Sequence, residues 1–83
     1  MKPAEFKKIR ENLGLTQKDL SEIFGLSSYI PINHYESGFR NPSILIMALM
    51  RIFDEWPEKN SLNLREELKS FVLKEQKRKK KES

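Results

Sequence analysis

Apolar residues recur at helical spacing along the first part of the chain, between residues that begin or end helices. Phe6, Ile9 and Leu13 follow one another at intervals of three or four residues. This spacing places them on one side of a helix. It predicts a first helix over about residues 3–13, and Gly14 ends it because glycine readily adopts the left-handed conformation that closes a helix.

A second short helix is predicted over about residues 16–24. Thr16 is a favourable N-cap, and Asp19 places a negative charge in the first helical turn. Gly25 ends this helix for the same reason as Gly14 ends the first. The apolar stripe of the helix consists of Leu20, Ile23 and Phe24.

A third short helix is predicted over about residues 31–37, and it ends at Gly38. Pro31 is placed in its first turn, because a proline inside a helix would remove a backbone hydrogen bond. Residues 27–30 are expected to form an extended entry to the helix. Two short helices joined by a turn that contains glycine are typical of a helix-turn-helix unit.

A fourth helix is predicted from the N-cap Ser43 to about Glu55. Residues 44–53 are apolar on nearly every side, which indicates burial on more than one side. Trp56 and Pro57 end the helix, because a residue before proline is disfavoured in the helical region.

The chain after Pro57 is expected to hold a linker over residues 58–62 and then one more helix. Asn63 is its predicted N-cap, with Glu66 at capping-box spacing. Like charges are expected to fray the end of this helix over residues 77–83. The fold class is therefore all-α, with five helices and no strands. The predicted inward stripe of the last helix is Leu64, Leu68, Phe71, Val72 and Glu75, with Leu73 at its flank.

Three short motifs resemble those of the Cro/lambda-repressor-type (Xre-like) helix-turn-helix family. They are LGLTQ at residues 13–17, YESG at residues 35–38 and NPS at residues 41–43. The resemblance covers roughly residues 6–53 and also includes Arg10, Leu20, Gly25 and Ile32. It implies a lambda-repressor-like domain over residues 1–57, with helices 2 and 3 as the helix-turn-helix and double-stranded DNA as the partner. Residues 58–76 would then be a C-terminal helix that packs on the domain or dimerises, and residues 77–83 a disordered basic tail.

The third helix would be the recognition helix in the major groove. On a helical wheel, Tyr35 and Glu36 share the face of Ile32, which is predicted to pack inward. Asn33 and His34 lie opposite and are expected to hydrogen-bond to bases, although both could instead be solvated polar residues. The residues predicted to contact bases are Asn33, His34, Tyr29, Ile30 and Ser28, with Tyr29 and Ile30 packing on thymine methyl groups.

Contacts to DNA phosphates are predicted at the start of the second helix and around the start of the fourth. The position of Gln17 reaches a phosphate in the resembled family, and its amide can donate the same bond. The predicted phosphate contacts are Gln17, Thr16, Lys18, Ser37, Arg40, Asn41 and Ser43, with Lys7 as a further contributor. Each lysine taken singly could equally belong to a solvated charged face.

The sequence departs from the family pattern in the turn before the third helix and matches it at the pair Arg10 and Glu36. Eleven positions separate Gly25 from Glu36, one more than the family pattern has, and Pro31 is unusual in a recognition helix. Arg10 and Glu36 resemble the buried Arg–Glu pair by which the family ties its first helix to the end of the third. The resemblance implies a structural role for both residues.

Composition narrows the possible functions. The net charge is +4, but residues 77–81 alone carry five positive charges, so the rest of the chain is close to neutral. The tail could run along phosphates or remain solvated. A single histidine and no cysteine give no metal ligand set, and no catalytic or cofactor motif is present, so neither an enzyme nor a cofactor is expected. A soluble, cytoplasmic protein without a signal peptide or membrane span is expected.

Three functions remain open. The first is a transcriptional regulator, a repressor acting as a homodimer, because one short helix reads only a few base pairs. The second is an antitoxin that binds a toxin protein through the region of residues 71–73 and the basic tail, and that represses its own operon. The third is an adaptor that uses the fold for protein contacts. The apolar fourth helix and the last helix could form the dimer interface, or the last helix could simply cover the fourth within a monomer.

Overall fold

A computed structural model describes the backbone of residues 1–82 and the side chains of residues 1–79. Within that part of the chain there are five α-helices and no strand, as predicted, which is consistent with an all-α helix-turn-helix domain. The helices are α1 (Pro3–Asn12), α2 (Gln17–Ile23), α3 (Ile30–Ser37), α4 (Ile44–Glu55) and α5 (Glu58–Glu82). Of the helices described, none is long and apolar enough to cross a membrane.

Local capping interactions set where α2 and α4 begin. The Thr16 hydroxyl accepts a hydrogen bond from the Asp19 amide at 3.0 Å, and the Asp19 carboxylate accepts one from the Thr16 amide at 3.0 Å. The bond from the Thr16 backbone holds the pKa of Asp19 below its ordinary value. Ser43 caps α4 by accepting a bond from the Ile46 amide at 3.2 Å. The predicted starts of both helices are confirmed.

The turn between α2 and α3 is closed by Gly25. Its φ angle of 71° is left-handed, and the next amide, that of Leu26, donates to the Ser21 carbonyl at 2.9 Å. Pro31 lies in the first turn of α3, as predicted. The predicted extended entry is wrong at its end, because Tyr29 has helical backbone angles and α3 begins one residue earlier than expected, at Ile30.

The core lies between α1, α2, α3 and α4, each of which contributes buried apolar side chains. The Phe6 and Tyr35 rings pack edge to face at 5.6 Å, which joins α1 to α3. The Phe24 and Phe53 rings stack at 6.2 Å, which joins the end of α2 to α4. The buried apolar residues are Phe6, Ile9, Leu20, Ile23, Ile32, Met50 and Phe53. The inward position predicted for Ile32 is confirmed, and Tyr35 packs against this core.

Helix α4 is buried along one side only, so the prediction of burial on several sides is wrong. Met50 and Phe53 face the core, but Ile44 is 82% exposed and Leu45 is 68% exposed. Among the described residues, α5 packs on the core side of α4 and leaves the first turn of α4 uncovered. The apolar residues of that turn therefore form an exposed surface and not a second buried face.

Helix α5 begins at Glu58, so the predicted linker over residues 58–62 and the predicted N-cap at Asn63 are wrong. The Pro57 carbonyl accepts a bond from the Ser61 amide at 2.9 Å, which opens the helix directly after α4. Because the chain has no proline or glycine after Pro57, nothing in it interrupts the helix. The helix continues to Glu82, past the point where fraying was expected; Ser83 lies outside the described residues.

The inward side of α5 differs in part from the predicted stripe. Leu64 and Leu68 pack against the core, but Phe71 is 58% exposed and does not face inward. Two polar residues, Ser61 and Arg65, are buried in its place on this side. The Arg65 guanidinium donates to the Ser61 carbonyl at 3.3 Å and to the Glu58 carboxylate at 3.1 Å. These bonds satisfy a buried charge that apolar spacing alone would not reveal.

The buried hydroxyl of Ser61 completes the end of α4. The Phe53 carbonyl would normally accept a bond from the amide four residues later, but that residue is Pro57, which has no N–H. Ser61 donates to this carbonyl instead, at 2.7 Å. The hydroxyl therefore satisfies the acceptor that Pro57 leaves without its helical partner.

We expect Ser61→Ala to lower the free energy of unfolding by about 1–3 kcal/mol, because a buried carbonyl loses its donor. Urea denaturation of wild type and variant measures this difference. Ser70→Ala is the matched control, since Ser70 is an exposed serine on the same helix and reports the change in helix propensity alone. Equal stabilities of the two variants would contradict the role of the Ser61 hydroxyl.

Candidate nucleic-acid interface

The outer side of α3 presents a mixed polar and apolar surface. Tyr29 is 52% exposed and Ile30 is 49% exposed, and Asn33 and Ser37 are exposed as well. Ile32 is fully buried on the opposite side and anchors the helix to the core. The helix therefore presents an amide, a hydroxyl, an aromatic ring and an aliphatic group outward, and each of these can contact a base edge.

His34 occupies a more sheltered position than Asn33. Its ring lies 4.7 Å from the Phe39 ring, and the side chain is half-buried. Its carbonyl accepts bonds from the Ser37 hydroxyl at 3.2 Å and from the Arg40 amide at 3.3 Å, which closes the end of α3. The His34 ring thus packs against Phe39 of the following loop, and its side chain remains partly exposed.

Ser28, the fifth predicted base contact, lies in the turn before α3. Its hydroxyl accepts a weak hydrogen bond from the Ile30 amide at 3.3 Å, and the side chain is half-buried. This bond helps to hold the first turn of α3, since Tyr29 makes no capping bond with its own side chain. The Ser28 hydroxyl proton stays available for a further partner.

The start of α2 carries three of the predicted phosphate contacts. The Thr16 hydroxyl acts as acceptor in the capping box, so it keeps its proton for donation. Lys18 is exposed. The Gln17 amide donates to the Glu36 carboxylate at 3.1 Å and retains a second N–H. The residue pattern alone did not indicate that Gln17 contacts Glu36.

The loop from α3 to α4 carries the other four predicted phosphate contacts. Arg40 and Asn41 are exposed, and Arg40 donates only its backbone amide to α3. The Ser37 hydroxyl accepts a weak bond from the Phe39 amide at 3.4 Å, and the Ser43 hydroxyl caps α4. Arg40 and Asn41 therefore have side chains available for an anion, whereas the two serines already shape the loop.

A buried polar network fixes α3 against α1 and α2. The Arg10 guanidinium donates to both oxygens of the Glu36 carboxylate, at 2.6 Å and 3.1 Å. It also donates to the Leu15 carbonyl at 2.8 Å, in the turn that leads into α2. The side chains of Arg10 and Glu36 are 11% and 5% exposed. The bond to Glu36 raises the pKa of Arg10, so the guanidinium stays charged.

Together with the Gln17 amide, this network brings residues from all three N-terminal helices to one carboxylate. It therefore sets the angle at which α3 leaves the turn.

In the part of the chain that the structure describes, no three His, Cys, Asp or Glu side chains lie close enough to hold a metal ion.

Comparison with known proteins connects this helical domain to one family. The family model described as the antitoxin component of a bacterial toxin–antitoxin system, MqsA, matches residues 1–68. The chain belongs to the MqsA antitoxin family. The match includes α1 to α4 and the first part of α5, and therefore every residue predicted to contact DNA.

A curated relative within this family is the antitoxin MqsA of Escherichia coli (strain K12). It is 39% identical to this chain over 56 residues, which are 68% of this chain and 42% of the relative. The chain thus spans less than half the length of that MqsA protein. No solved structure matches the chain. Membership of this family supports the antitoxin hypothesis better than the hypothesis of a repressor that has no toxin partner.

Proposed function

We propose that this chain is the antitoxin of a toxin–antitoxin pair, which binds a toxin protein and represses its own operon by binding duplex DNA. The observation that carries the proposal is the match of residues 1–68 to the MqsA antitoxin family. It acts by binding alone, as a non-enzymatic regulator without a cofactor. Its DNA target places it in the cytoplasm.

The surface of α3 supports the DNA-binding part of this proposal. The helix has eight residues, and an α-helix with its side chains is about 10–12 Å across, so it can enter a major groove about 12 Å wide. Asn33 can form two hydrogen bonds with adenine, and Tyr29 and Ile30 can pack on thymine methyl groups. His34 and Ser28 supply further hydrogen bonds at the two ends of this surface. The resemblance to Xre-like proteins supports the same docking.

Phosphate contacts would hold α3 in register on the duplex. Thr16, Gln17 and Lys18 lie at the start of α2, where the Gln17 amide contacts Glu36 near the end of α3. Ser37 is the last residue of α3, and Arg40, Asn41 and Ser43 lie between α3 and α4. Contacts of this kind position a protein on DNA without reading its sequence. Lys7, exposed on α1, would add to them.

A homodimer is part of the proposal, because one short helix reads too few base pairs for useful specificity. Phe39 is 71% exposed in the loop after α3, and Ile44 and Leu45 are 82% and 68% exposed in the first turn of α4. An exposed apolar surface of this kind is typical of a protein–protein interface. Two copies that meet there would present their α3 helices to successive major grooves of one duplex.

We expect Asn33→Ala to weaken binding to the selected DNA by about 1–3 kcal/mol and to relax base preference at one position in each half-site. The measurement is selection of bound sequences from random duplex DNA at two salt concentrations, followed by titration of wild type and variant. A two-fold symmetric motif with half-sites about one helical turn apart would support the dimer.

Asn60→Ala is the control for this experiment, since Asn60 is an exposed asparagine on α5, away from α3. It should bind the selected DNA as the wild type does. Binding without any motif that disappears with modest added salt would mean that the basic residues of α5 supply the affinity. An unchanged motif and affinity for Asn33→Ala would overturn the assignment of Asn33 to a base.

A further inference from the structure

The net positive charge of the chain is confined to the end of α5. Residues 1–73 carry ten lysines and arginines and ten aspartates and glutamates. Residues 74–83 carry six cationic residues and two acidic ones, which account for the whole net charge of +4. This segment lies beyond residue 68, where the family match ends. Its charges are therefore an addition to the matched helix-turn-helix domain.

Three of these cationic residues lie along one side of α5, and we name them the basic stripe. Lys74, Lys77 and Arg78 are spaced by three and four residues, which places them on one face of the helix. All three are exposed. Lys80 and Lys81 follow in the sequence, and their side chains lie outside the described residues. The stripe presents a row of cations to the surroundings of the chain.

Acidic neighbours offset only part of this charge. Glu75 lies about 100° around the helix from Lys74, and its carboxylate pairs with Arg78 at 3.1 Å. Glu67 lies on the same side of α5 as the stripe, but seven residues, or about 10 Å, before Lys74. The side chains of Lys74 and Lys77 thus keep their charge available for an anionic partner.

The basic stripe lies on the side of α5 that faces away from the helix-turn-helix. The opposite side packs on the end of α2, where a Cβ atom on Gly25 would lie 2.9 Å from Val72 Cγ1 and 3.9 Å from Gln76 Nε2. On that side Lys69 also forms an ion pair with Glu22 at 3.2 Å. Helix α5 packs on α2 and α4, whereas α3 packs on α1 and α2. The stripe and the outer side of α3 therefore lie on different sides of the domain.

The clustering of like charges in the basic stripe disfavours the helix that carries it. Lys74 lies three residues before Lys77 and four before Arg78, and like charges at these spacings repel each other on a helix. Cations are favoured by the helix dipole only within the last turn, whereas Lys74 lies about two turns before the last helical residue, Glu82. A polyanion bound along the stripe would remove the repulsion.

We propose that the basic stripe binds the phosphates of a second segment of duplex DNA, without reading its sequence, while α3 lies in the operator. The operator is the duplex sequence selected by the wild type in the experiment above, and this inference rests on the DNA-binding part of the proposed function. Duplex DNA carries closely spaced phosphates along its whole length. Once α3 has bound the operator, the rest of the same DNA molecule is present at a high effective concentration.

An anionic membrane surface fits the basic stripe less well than DNA does. A helix that lies on a membrane buries an apolar side among the lipids. After Leu73 the chain contains no apolar residue, so the charged end of α5 has no such side. Contacts to phosphates need only the cations.

The test is the capture of a second duplex by protein bound to a first. The operator duplex is immobilised, the protein is added, and a labelled duplex of scrambled sequence follows at 0.1 M salt or below. Wild type should retain the labelled duplex. Each phosphate contact contributes a slope of about 0.9 to the dependence of log affinity on log salt, so Lys77→Glu should lower the affinity for the second duplex about eightfold at 0.1 M salt.

Lys59→Glu is the matched control, since it makes the same charge change at an exposed position at the start of α5. It should capture the second duplex within about twofold of wild type. Lys77→Glu places an acidic residue three positions after Lys74 and four before Lys81, which favours the helix, so a loss of capture does not follow from unfolding. Circular dichroism checks the helical content of both variants. On a duplex no longer than the operator, both should show the motif and affinity of wild type.

The outcomes separate this inference from the proposed function. If wild type does not bind the immobilised operator, the DNA-binding part of that function is wrong and the inference falls with it. If wild type binds the operator but captures no second duplex, or if the two variants capture it equally, the function stands and the stripe assignment is overturned.

Two further results would assign the basic stripe elsewhere. A loss of affinity of Lys77→Glu for the short operator duplex equal to its loss of capture would mean that the stripe contacts the operator itself. Binding to vesicles of phosphatidylcholine and phosphatidylserine that Lys77→Glu abolishes, with capture of duplex unchanged, would mean that the stripe serves a membrane. Either result would overturn the binding of a second DNA segment.

Discussion

Glu36→Ala should lower the free energy of unfolding by about 3–5 kcal/mol, because it leaves the Arg10 guanidinium charged and without its partner in a largely buried site. The carboxylate accepts two bonds from Arg10 and one from Gln17, and all three are lost together. A domain of this size is stabilised by only about 4–12 kcal/mol in total. Thermal and urea denaturation should therefore show a variant that is loosened or unfolded at ordinary temperature.

Two further variants isolate the cause of this effect. Replacing both partners, Arg10→Met with Glu36→Met, should recover part of the loss, because no unpaired charge then remains in the core. Glu5→Ala removes a carboxylate from the exposed Glu5–Arg51 pair, whose side chains are 43% and 46% exposed, and should have a much smaller effect. Unchanged stability of Glu36→Ala together with an altered operator preference would show that Glu36 acts in recognition and not in folding.

Most starts and ends of the first four helices followed from the sequence because neighbouring residues determine them, and the start of α3 differed by one residue. Thr16 and Ser43 cap helices through amides three residues later, and Gly14, Gly25 and Gly38 adopt positive φ angles at the ends of α1, α2 and α3. Such interactions depend on side-chain chemistry and spacing, which a sequence displays directly. Pro31 was placed correctly for the same reason.

The start of α5 did not follow from the sequence, because a contact between helices supports it. Asn63 and Glu66 have the spacing of a capping box, but Ser61 already lies inside the helix and donates to the Phe53 carbonyl eight residues earlier. That bond exists only once α4 and α5 are folded together. The spacing of Asn63 and Glu66 therefore predicted an N-cap at a residue that lies inside the helix once α4 and α5 have packed together.

Exposed apolar residues were the other source of error. The apolar run of α4 predicted burial on several sides, and Phe71 was assigned to the inward stripe of α5. The structure leaves Ile44, Leu45 and Phe71 exposed. The hydrophobicity of a residue indicates that its burial away from water lowers the free energy, but not whether its own chain or a partner covers it.

Of the contacts around Glu36, one was predicted from the sequence and one was not. The resemblance to Xre-like proteins indicated the Arg10–Glu36 pair, since both residues match the family pattern. It did not indicate that the Gln17 amide also contacts Glu36, because that contact joins residues 19 positions apart through a flexible side chain. The DNA contacts assigned to Gln17, Asn33 and the other residues remain predictions that only binding experiments test.

Gly25→Ala is the second substitution with a large expected effect, a loss of about 2–5 kcal/mol in the free energy of unfolding. A side chain at φ 71° costs about 1–2 kcal/mol in backbone strain. The new Cβ would also lie 2.9 Å from Val72 Cγ1, and a valine in a helix has little freedom to move aside. Overpacking of this kind costs about 1–3 kcal/mol more.

Gly14→Ala separates these two costs, because Gly14 has nearly the same backbone angle, φ 74°, and no atom within 4 Å of a Cβ placed there. The free energy of unfolding of Gly14→Ala should fall only by the cost of the backbone strain. Val72→Ala introduced into Gly25→Ala should return its stability toward that of Gly14→Ala, and a double-mutant cycle measured by urea denaturation gives the coupling between the two positions. A coupling near zero would mean that α5 does not rest on the turn in solution.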